Sequence, residues 1–443
     1  MRKLFVRFDR FVVYIVTMGF LHEHIILPLS DLVKGEQVHR YLRLLREAEQ
    51  WTPEQMQAFQ EKRLRKLLVY AAKEVPFYRD WFHNHSIDPA TARIEQMPIV
   101  DKAIMRQEGL ERFAAECFPP KERITTRSGG STGEPFTFYE TKLSYSVNMA
   151  AKLRTWYQAG YRMGDRYMKI TNGKRPSKIK ELQDIANNCL YVPFYSITYE
   201  TLKTILDTIE QKKPMYIRSY PSPLYLLARY RNGHPDYHFN PRHIFTTGST
   251  LPEDYRNEIE RAFGCDVIDS YSCEGTPNTY ETPVHNGYNV TGYYGIIEVL
   301  DEDNRPVTDG IGRVVSTDLW NLAHPFIRYD TQDLVEVKEG RIIRIMGRQC
   351  ETLLEANGKM LTVHNFTHYF ADNFPSVDGW QIVKQKEGNI KFRLVANSLY
   401  TPDDGQRIVQ HWSPIIGRTV AIEFVDKLPL MDNNKHLSII DEK

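Results

Sequence analysis

The run Arg127-Ser128-Gly129-Gly130-Ser131-Thr132-Gly133-Glu134-Pro135-Phe136 packs three glycines, two serines and a threonine into one short stretch. Bare backbone N–H groups and hydroxyls in such a loop can wrap a phosphate chain. Glycine lets the main chain come close, and consecutive N–H groups form an anion nest. Glycine and serine are equally the residues of an ordinary polar turn, and that reading stands beside the first. A hydrolase-type phosphate loop needs a Gly-Lys-Ser/Thr ending ahead of a helix. Here Glu134-Pro135 follows Gly133, so a cation for bound phosphates has to come from elsewhere in the chain.

The elements around this loop must hold it open. Arg123–Thr126 and Phe136–Tyr139 read as short strands, which makes the loop the tip of a hairpin-like turn. Upstream, Thr52-Pro53-Glu54-Gln55 combines an N-cap, a proline at the first helical position and a capping-box glutamine. The helix it starts carries Met56, Phe59, Leu64, Leu67, Leu68 and Ala71 on one face and ends before Val75-Pro76-Phe77-Tyr78. A proline-bounded segment, Met97-Pro98-Ile99-Val100, comes next.

Downstream, helices are expected at Leu143–Gly160, Tyr199–Gln211, Leu224–Arg231 and Leu251–Phe263. Strands are expected at Arg166–Ile170, Tyr216–Tyr220, His243–Thr247 and Asp266–Tyr271. Such alternation argues for a mostly parallel α/β sheet, whose ligands bind beyond the carboxyl ends of the strands. Gly248-Ser249-Thr250 and Tyr271-Ser272-Cys273-Glu274 sit at two such ends.

From Gly287 the pattern turns to short strands, Ile296–Leu300, Gly312–Thr317 and Leu334–Val337, with turn signals between them. That is a small antiparallel unit. From Gly347 an α+β pattern restarts, with helices at Val363–Phe374 and Asp403–Trp412 and strands at Trp380–Gln385, Ile390–Ala396 and Thr419–Val425. The expected fold class is α/β: a large N-terminal α/β domain over 1–346 with mostly parallel sheets and a β-rich subdomain at 287–346. A small mobile α+β C-terminal domain covers 347–443.

Composition narrows the partners. A chain of 443 residues exceeds what one core usually organises, and 42% hydrophobic with 26% charged residues is ordinary globular composition. A net charge of +1 gives no reason to expect a nucleic-acid partner. Cys117, Cys189, Cys265, Cys273 and Cys350 are scattered and odd in number, which suggests reduced thiols in a cytoplasmic protein. Cys273 with His285 supplies too few ligands for a structural zinc, so a packed or pocket-lining histidine is expected. Phe11–Leu29 is apolar but broken by His22, Glu23 and His24, and no cleavage signature follows. This segment is expected to pack on the main domain. Peripheral contact with a membrane surface is the alternative, because Arg2, Lys3, Arg7 and Arg10 precede the apolar run.

Taken in order, the motifs resemble those of the adenylate-forming superfamily of acyl-CoA synthetases and adenylation domains. Ser128–Pro135 is similar to its phosphate loop and Gly248-Ser249-Thr250-Leu251 to its adenine loop. Arg328-Tyr329-Asp330-Thr331-Gln332-Asp333 is similar to its ribose motif, with Gly347-Arg348 following. Leu428-Pro429 through Asn434-Lys435 is similar to its terminal lysine motif. Within the superfamily the chain looks most like the phenylacetate–CoA ligase-like family, especially its capsular-polysaccharide-biosynthesis branch. Val75-Pro76-Phe77-Tyr78 and Pro325-Phe326-Ile327-Arg328-Tyr329 carry that part of the resemblance, which covers the chain from about Leu42 onward.

The resemblance implies roles. Ser128, Gly129, Gly130, Ser131, Thr132 and Gly133 would cradle the ATP phosphates, and Gly248, Ser249, Thr250 and Tyr271 would meet the adenine. Asp333 would bind the ribose hydroxyls, supported by Arg348. Glu274 would hold Mg²⁺, and Lys435 would be the catalytic cation at the α-phosphate. The implied activity is AMP-forming ligation of a small carboxylic acid, with CoA as the default acceptor. An amino sugar, a polysaccharide precursor or a carrier protein is the alternative acceptor. A catalytically silent nucleotide-binding scaffold in glycan assembly is the reading from another class. The chain departs from the family pattern at Glu134, where many relatives have lysine, and at Gln332 and Asn434, where glycine is usual. Tyr271 is offset from the usual aromatic position relative to Glu274.

Overall fold

A computed structural model of the chain describes residues 19–127, 136–171, 177–193, 199–273, 275–277, 279–282, 285–348, 352–354, 356, 360–362, 366, 369–370, 373–374, 376–429 and 438–442. The N-terminal third is helical. Thr52 caps the helix Pro53–Glu74 with a complete capping box: its hydroxyl accepts from the Gln55 N–H at 3.3 Å, and its own N–H donates to Gln55 Oε1 at 2.9 Å. Val75 stays extended ahead of Pro76, which opens a second helix, Pro76–Asn84. The buried Glu23 anchors the first described turn. It pairs with Arg46 at 2.6 Å and accepts from the Tyr157 hydroxyl at 3.1 Å. From residue 19 onward the segment therefore packs on the main body, as expected; residues 1–18 lie outside the described residues.

Strands β1 (Ile124–Arg127) and β2 (Thr137–Glu140) pair antiparallel, with Arg127 opposite Thr137, so they form the stem of the predicted phosphate loop. The helix Lys142–Gln158 follows. Next come β3 (Tyr167–Thr171), β4 (Cys189–Pro193), β5 (Tyr216–Ser219), β6 (His243–Thr247), β7 (Asp266–Tyr271), β8 (Thr279–Glu281) and β9 (Tyr288–Val290). They make one sheet in the order β4-β3-β5-β6-β7-β8-β9, parallel through β7 and antiparallel beyond it. β4 was not anticipated from the sequence, because Cys189-Leu190-Tyr191-Val192-Pro193 is short and lacks a two-residue alternation.

Both faces of the parallel strands are covered, which explains their near-continuous apolar runs. On one face Met168, Ile170, Ile217, Ile244 and Val267 meet the helices Tyr199–Lys212, Pro221–Asn232 and Glu253–Phe263. On the other, Tyr216, Phe245 and Ile268 join the core that contains Val147, Ala150 and Ala151 of the helix Lys142–Gln158.

The predicted antiparallel unit is a four-stranded meander of β10 (Gly295–Leu300), β11 (Gly310–Asp318), β12 (Tyr329–Lys338) and β13 (Arg341–Arg348). β12 is longer than Leu334–Val337 because the ribose motif itself is strand. Beyond it lie β14 (Thr352–Leu354), β15 (Met360–Thr362), β16 (Val377–Lys384), β17 (Ile390–Ala396), β18 (Val420–Phe424) and β19 (Ile439–Asp441). The sheet β18-β17-β16-β19 carries the helix Pro402–Ile416, and Ile408, Trp412 and Ile416 form a separate core with Phe392, Leu394 and Val420. The expected helix Val363–Phe374 lies largely outside the described residues. No described helix is long and apolar enough to cross a membrane.

Candidate nucleotide-binding site

The parallel strands deliver three loops to one edge, as their direction requires. β5 leads into Tyr220, β6 leads into Gly248-Ser249-Thr250, and β7 ends at Tyr271. Gly248 has φ +80°, and a Cβ there would stand 2.7 Å from the Tyr220 ring, so the position requires glycine for both conformation and space. Gly347 at the end of β13 has φ +101°, and a Cβ there would approach Thr250 Oγ1 at 3.1 Å. The β6 loop and the far end of the meander therefore touch.

The meander supplies the carboxylate. Asp333 is buried on β12 opposite Arg348 on β13. Tyr271 Oη donates to Asp333 Oδ2 at 2.8 Å and lies 3.4 Å from Thr331 Oγ1. Thr331 Oγ1 in turn donates to the Val314 carbonyl at 3.0 Å and accepts the Asp333 N–H at 3.1 Å. Burial, and then the charge of Asp333, hold the Tyr271 phenol protonated well above its ordinary pKa, so it remains a donor. Tyr271 and Asp333 were expected near one nucleotide from motif order alone, and the structure brings their side chains into contact across 62 residues of sequence.

The turn between them is shaped by Gln332, which stands at φ +61° where the family pattern has glycine. Its N–H donates to Asp330 Oδ1 at 2.8 Å, and its side chain reaches Asp101 Oδ2 at 3.3 Å. Asp330 also accepts from Arg313 Nε at 2.8 Å. An added strand fixes this corner from outside. Val100 bridges Tyr329 in parallel, with Val100 N–H donating to the Arg328 carbonyl at 3.1 Å and Asp330 N–H to the Val100 carbonyl at 2.8 Å. The proline-bounded segment Met97–Val100 was visible in the sequence, but its pairing was not, since a single bridge has no local signature.

Arg328 belongs to the scaffold. Buried at φ +46°, it donates to both Glu298 oxygens at 2.9 and 3.1 Å and to the carbonyls of Glu95 and Met97. The stem of the predicted phosphate loop is tied down as well. Thr126 Oγ1 donates to Glu140 at 2.5 Å, and Asn321 Nδ2 donates to the Tyr139 carbonyl at 2.8 Å.

Among the other expected residues, Ser128, Gly129, Gly130, Ser131, Thr132, Gly133, Glu274 and Lys435 lie outside the described residues, and Arg348 is described by its backbone alone. No cluster of three or more His, Cys, Asp or Glu residues suited to a metal occurs among the described residues. Cys273 and His285 do not form a pair: Cys273 Sγ contacts Thr276 Oγ1 at 2.8 Å, and His285 Nδ1 contacts Glu281 at 3.3 Å. His285 is exposed beside Glu281 and Arg256, so the packed or pocket-lining role expected for it is not the one the structure shows. Of the aromatic residues available to line an acid pocket, Tyr225 stacks on Tyr255 at 3.9 Å between two helices, and Trp156 stacks on Phe245 at 4.7 Å.

No family model matches the chain. It is 24% identical over 329 residues to the protein CapK of Staphylococcus aureus, a match that spans 70% of this chain and 71% of CapK. It is 26% identical over 302 residues to the phenylacetate-coenzyme A ligase of Thermus thermophilus, spanning 63% of this chain and 65% of the ligase. The chain is thus similar in sequence to CapK and to a phenylacetate-coenzyme A ligase, in keeping with the resemblance that its motifs carry to the adenylate-forming superfamily. Its fold matches a crystal structure of 2-hydroxyisobutyryl-CoA ligase in the postadenylation state with R3-HIB-AMP. The TM-score is 0.68 at 18% identity, covering 89% of this chain and 91% of that one. Against an open conformation of the same ligase the TM-score is 0.53 at 18% identity, covering 88% of this chain and 92% of that one.

Proposed function

We propose that this chain is an ATP-dependent acid ligase that converts a carboxylic acid to its acyl adenylate and then transfers the acyl group, with CoA as acceptor. The observation that supports it most is the convergence of Gly248-Ser249-Thr250, Tyr271 and Asp333 at the carboxyl edge of the sheet, beside the stem of a Gly/Ser loop. A carboxylate cannot expel oxide, so attack on the α-phosphate of ATP replaces oxide by AMP as leaving group. Negative charge builds up on the phosphates during that attack, and oriented N–H donors and cations lower its barrier.

Each residue has a part in this reading. Ser128–Gly133 hold the departing β- and γ-phosphates, and Lys435 supplies the cation that the loop itself lacks. Asp333 accepts from the ribose hydroxyls; Tyr271 orients its carboxylate, and Thr331 Oγ1 holds its backbone N–H. Arg348, directly across the ladder from Asp333, is suited to the same sugar or to the phosphates. Glu274 offers the carboxylate oxygen that Mg²⁺ prefers, and the ion would neutralise phosphate charge. We assign residues 1–346 to the nucleotide-binding body and 347–443 to a lid that carries Lys435.

The match to CapK supports a second acceptor reading, in which an amine or hydroxyl of a glycan precursor, or a carrier-protein thiol, takes the acyl group. Pyrophosphate release from ATP, Mg²⁺ and a panel of acids tests the first half-reaction. CoA, then amine acceptors, separates the two versions of the second. Carboxylate-dependent release that is lost in Lys435→Ala and Asp333→Ala is the expected result; absence of ATP binding overturns the reading.

We also propose peripheral membrane contact, from two exposed apolar strips. Ile25, Leu29, Leu32 and Val33 expose one apolar strip, with Leu32 79% and Val33 86% accessible. Ile179, Leu182 and Ile185 expose a second strip on the helix Lys178–Ala186, and His22 Nε2 meets the Ala186 carbonyl at 3.0 Å between them. Flotation with vesicles of anionic lipid, lost on Leu32→Ser with Leu182→Ser, is expected; recovery of all protein in the lipid-free fraction would rule the contact out.

A further inference from the structure

The sheet face beneath the helix Lys142–Gln158 carries charge where apolar side chains are the rule. Strand register sets Tyr191, Lys169, Arg218, Phe245 and Ile268 in one row across β4, β3, β5, β6 and β7. Lys169 and Arg218 are thus immediate cross-strand neighbours of like charge, an arrangement that costs stability unless something compensates it. The helix lies over this row: Trp156 stacks flat on Phe245 at 4.7 Å and edge-on to Tyr167 at 5.2 Å. Lys152 stands one turn before Trp156 on the same side of the helix, which directs it towards the row.

Lys152 and Arg218 line a cleft. Lys152 is exposed and Arg218 only partly so, yet protein encloses both closely. Enclosure first, and the charge of Arg218 second, push the Lys152 ammonium down to about 8, and enclosure lowers Arg218 as well. Solvent access combined with strong desolvation is the signature of a concave wall. Among the described residues neither head group has a hydrogen-bonded or ion-paired partner. Glu140 attracts Lys152, but its carboxylate already accepts from Thr126. The cleft adjoins the nucleotide site, because Arg218 lies two residues before Tyr220, whose ring backs Gly248.

We propose that the acid this chain activates carries a second anionic group, carboxylate or phosphate, held by Arg218 and Lys152 while the reacting carboxylate faces the nucleotide. The proposal rests on the acid-ligase reading for which group reacts. The chemistry of the two cations suits the assignment. A guanidinium grips a carboxylate or phosphate through paired N–H donors, and an ammonium adds an unoriented point charge. An uncharged acyl tail in the same cleft would leave two desolvated cations uncompensated.

Matched acids test this on the full-length protein by calorimetry: glutarate against valerate, phthalate against benzoate, and 3-phosphoglycerate against glycerate. At least one dianion is expected to bind about tenfold or more tightly than its monoanionic partner, the size of one charge-assisted hydrogen bond. Arg218→Met and Lys152→Met, which keep the side-chain stems, are each expected to abolish that preference, with ATP binding reporting that the variants fold. Equal binding within every pair, or a preference that survives in both variants, overturns the proposal. The carboxylate and phosphate arms decide which anion is held. Pyrophosphate release on the same panel separates this failure from failure of the parent reading. Release with monoanions and no dianion preference sinks the proposal alone. Charge-dependent binding without release from any acid sinks the acid-ligase reading and keeps the anion cleft.

Discussion

The Tyr271 hydroxyl donates to Asp333 Oδ2 at 2.8 Å, joining the end of a parallel strand to the middle of an antiparallel meander. That bond orients the carboxylate proposed to bind ribose, and it brings no charge of its own. Tyr271→Phe is therefore expected to weaken ATP binding about fivefold, the worth of one neutral hydrogen bond of about 1 kcal/mol. Asp333→Ala, which removes the acceptor itself, is expected to cost about a hundredfold or more. Calorimetric ATP titration of the two variants measures both. A Tyr271→Phe loss as large as that of Asp333→Ala would mean that Tyr271 contacts the nucleotide directly.

Gln332 occupies the left-handed region at φ +61°, which costs a non-glycine residue roughly 1 kcal/mol. Gln332→Gly removes that cost but loosens the unfolded chain and deletes the contact with Asp101. Thermal unfolding is expected to place it within about 1 kcal/mol of the natural chain, whereas Gln332→Val, branched at Cβ, is expected to destabilise by about 2 kcal/mol or more. Equal effects of the two substitutions would show that the backbone relaxes freely here.

Arg328 and Glu298 form a bidentate pair at 2.9 and 3.1 Å that is nearly closed off from water. Burial raises the Glu298 carboxyl, and Arg328 opposes that shift. Glu298→Ala leaves a buried guanidinium without its anion and is expected to cost about 3–5 kcal/mol in denaturant unfolding. Replacing both residues by methionine is expected to cost less than that single change, since no orphan charge remains. If the double variant is the worse of the two, the pair stabilises the fold beyond its own desolvation.

His324 is fully buried among Phe113, Phe136, Phe138 and Phe326, and neither ring nitrogen has a hydrogen-bond partner among the described residues. Burial pushes its pKa down to about 3 from an ordinary value of 6.5. The unfolded chain therefore binds a proton between those values that the folded chain refuses, and stability falls as pH drops from about 6.5 towards 3. Asp269 and Asp318 act in the opposite sense. Burial raises each to about 6, so the folded chain binds their protons first and stability is lost as pH rises from about 4 to about 6. His324→Leu isolates the first effect. Its stability relative to the natural chain is expected to improve by about 1.4 kcal/mol per pH unit on acidification within that window. Parallel pH profiles would mean that His324 gains a partner when protonated.

Gly347→Ala addresses the contact between the meander and the β6 loop. Its φ of +101° and the 3.1 Å approach to Thr250 Oγ1 both oppose a methyl group. A loss of about 1–2 kcal/mol in stability is expected, together with weaker ATP binding, if the displaced Thr250 lies in the loop proposed to meet the adenine. Weakened stability with unchanged ATP affinity would remove Thr250 from the nucleotide site.

Much of the fold was legible residue by residue. The capping box at Thr52–Gln55, the apolar runs of β5, β6 and β7, and the switch to short strands near Gly295 are local signals, and local signals depend only on neighbours in the chain. Motif order placed Gly248-Ser249-Thr250, Tyr271 and Asp333 around one nucleotide for the same reason: each motif is contiguous. The sequence by itself thus determined the element types, the family resemblance and the residue kinds available for chemistry. Tertiary structure decided the rest. The order β4-β3-β5-β6-β7-β8-β9, the Val100–Tyr329 bridge and the Tyr271–Asp333 bond join residues far apart in the chain, and no local pattern encodes such pairing. The row of Lys169 and Arg218 beneath Lys152 was equally hidden, since in sequence each is one more charged residue in an alternating segment. Strand register and the covering helix turn the two cations Lys152 and Arg218 into one cleft, and register is a property of the folded sheet.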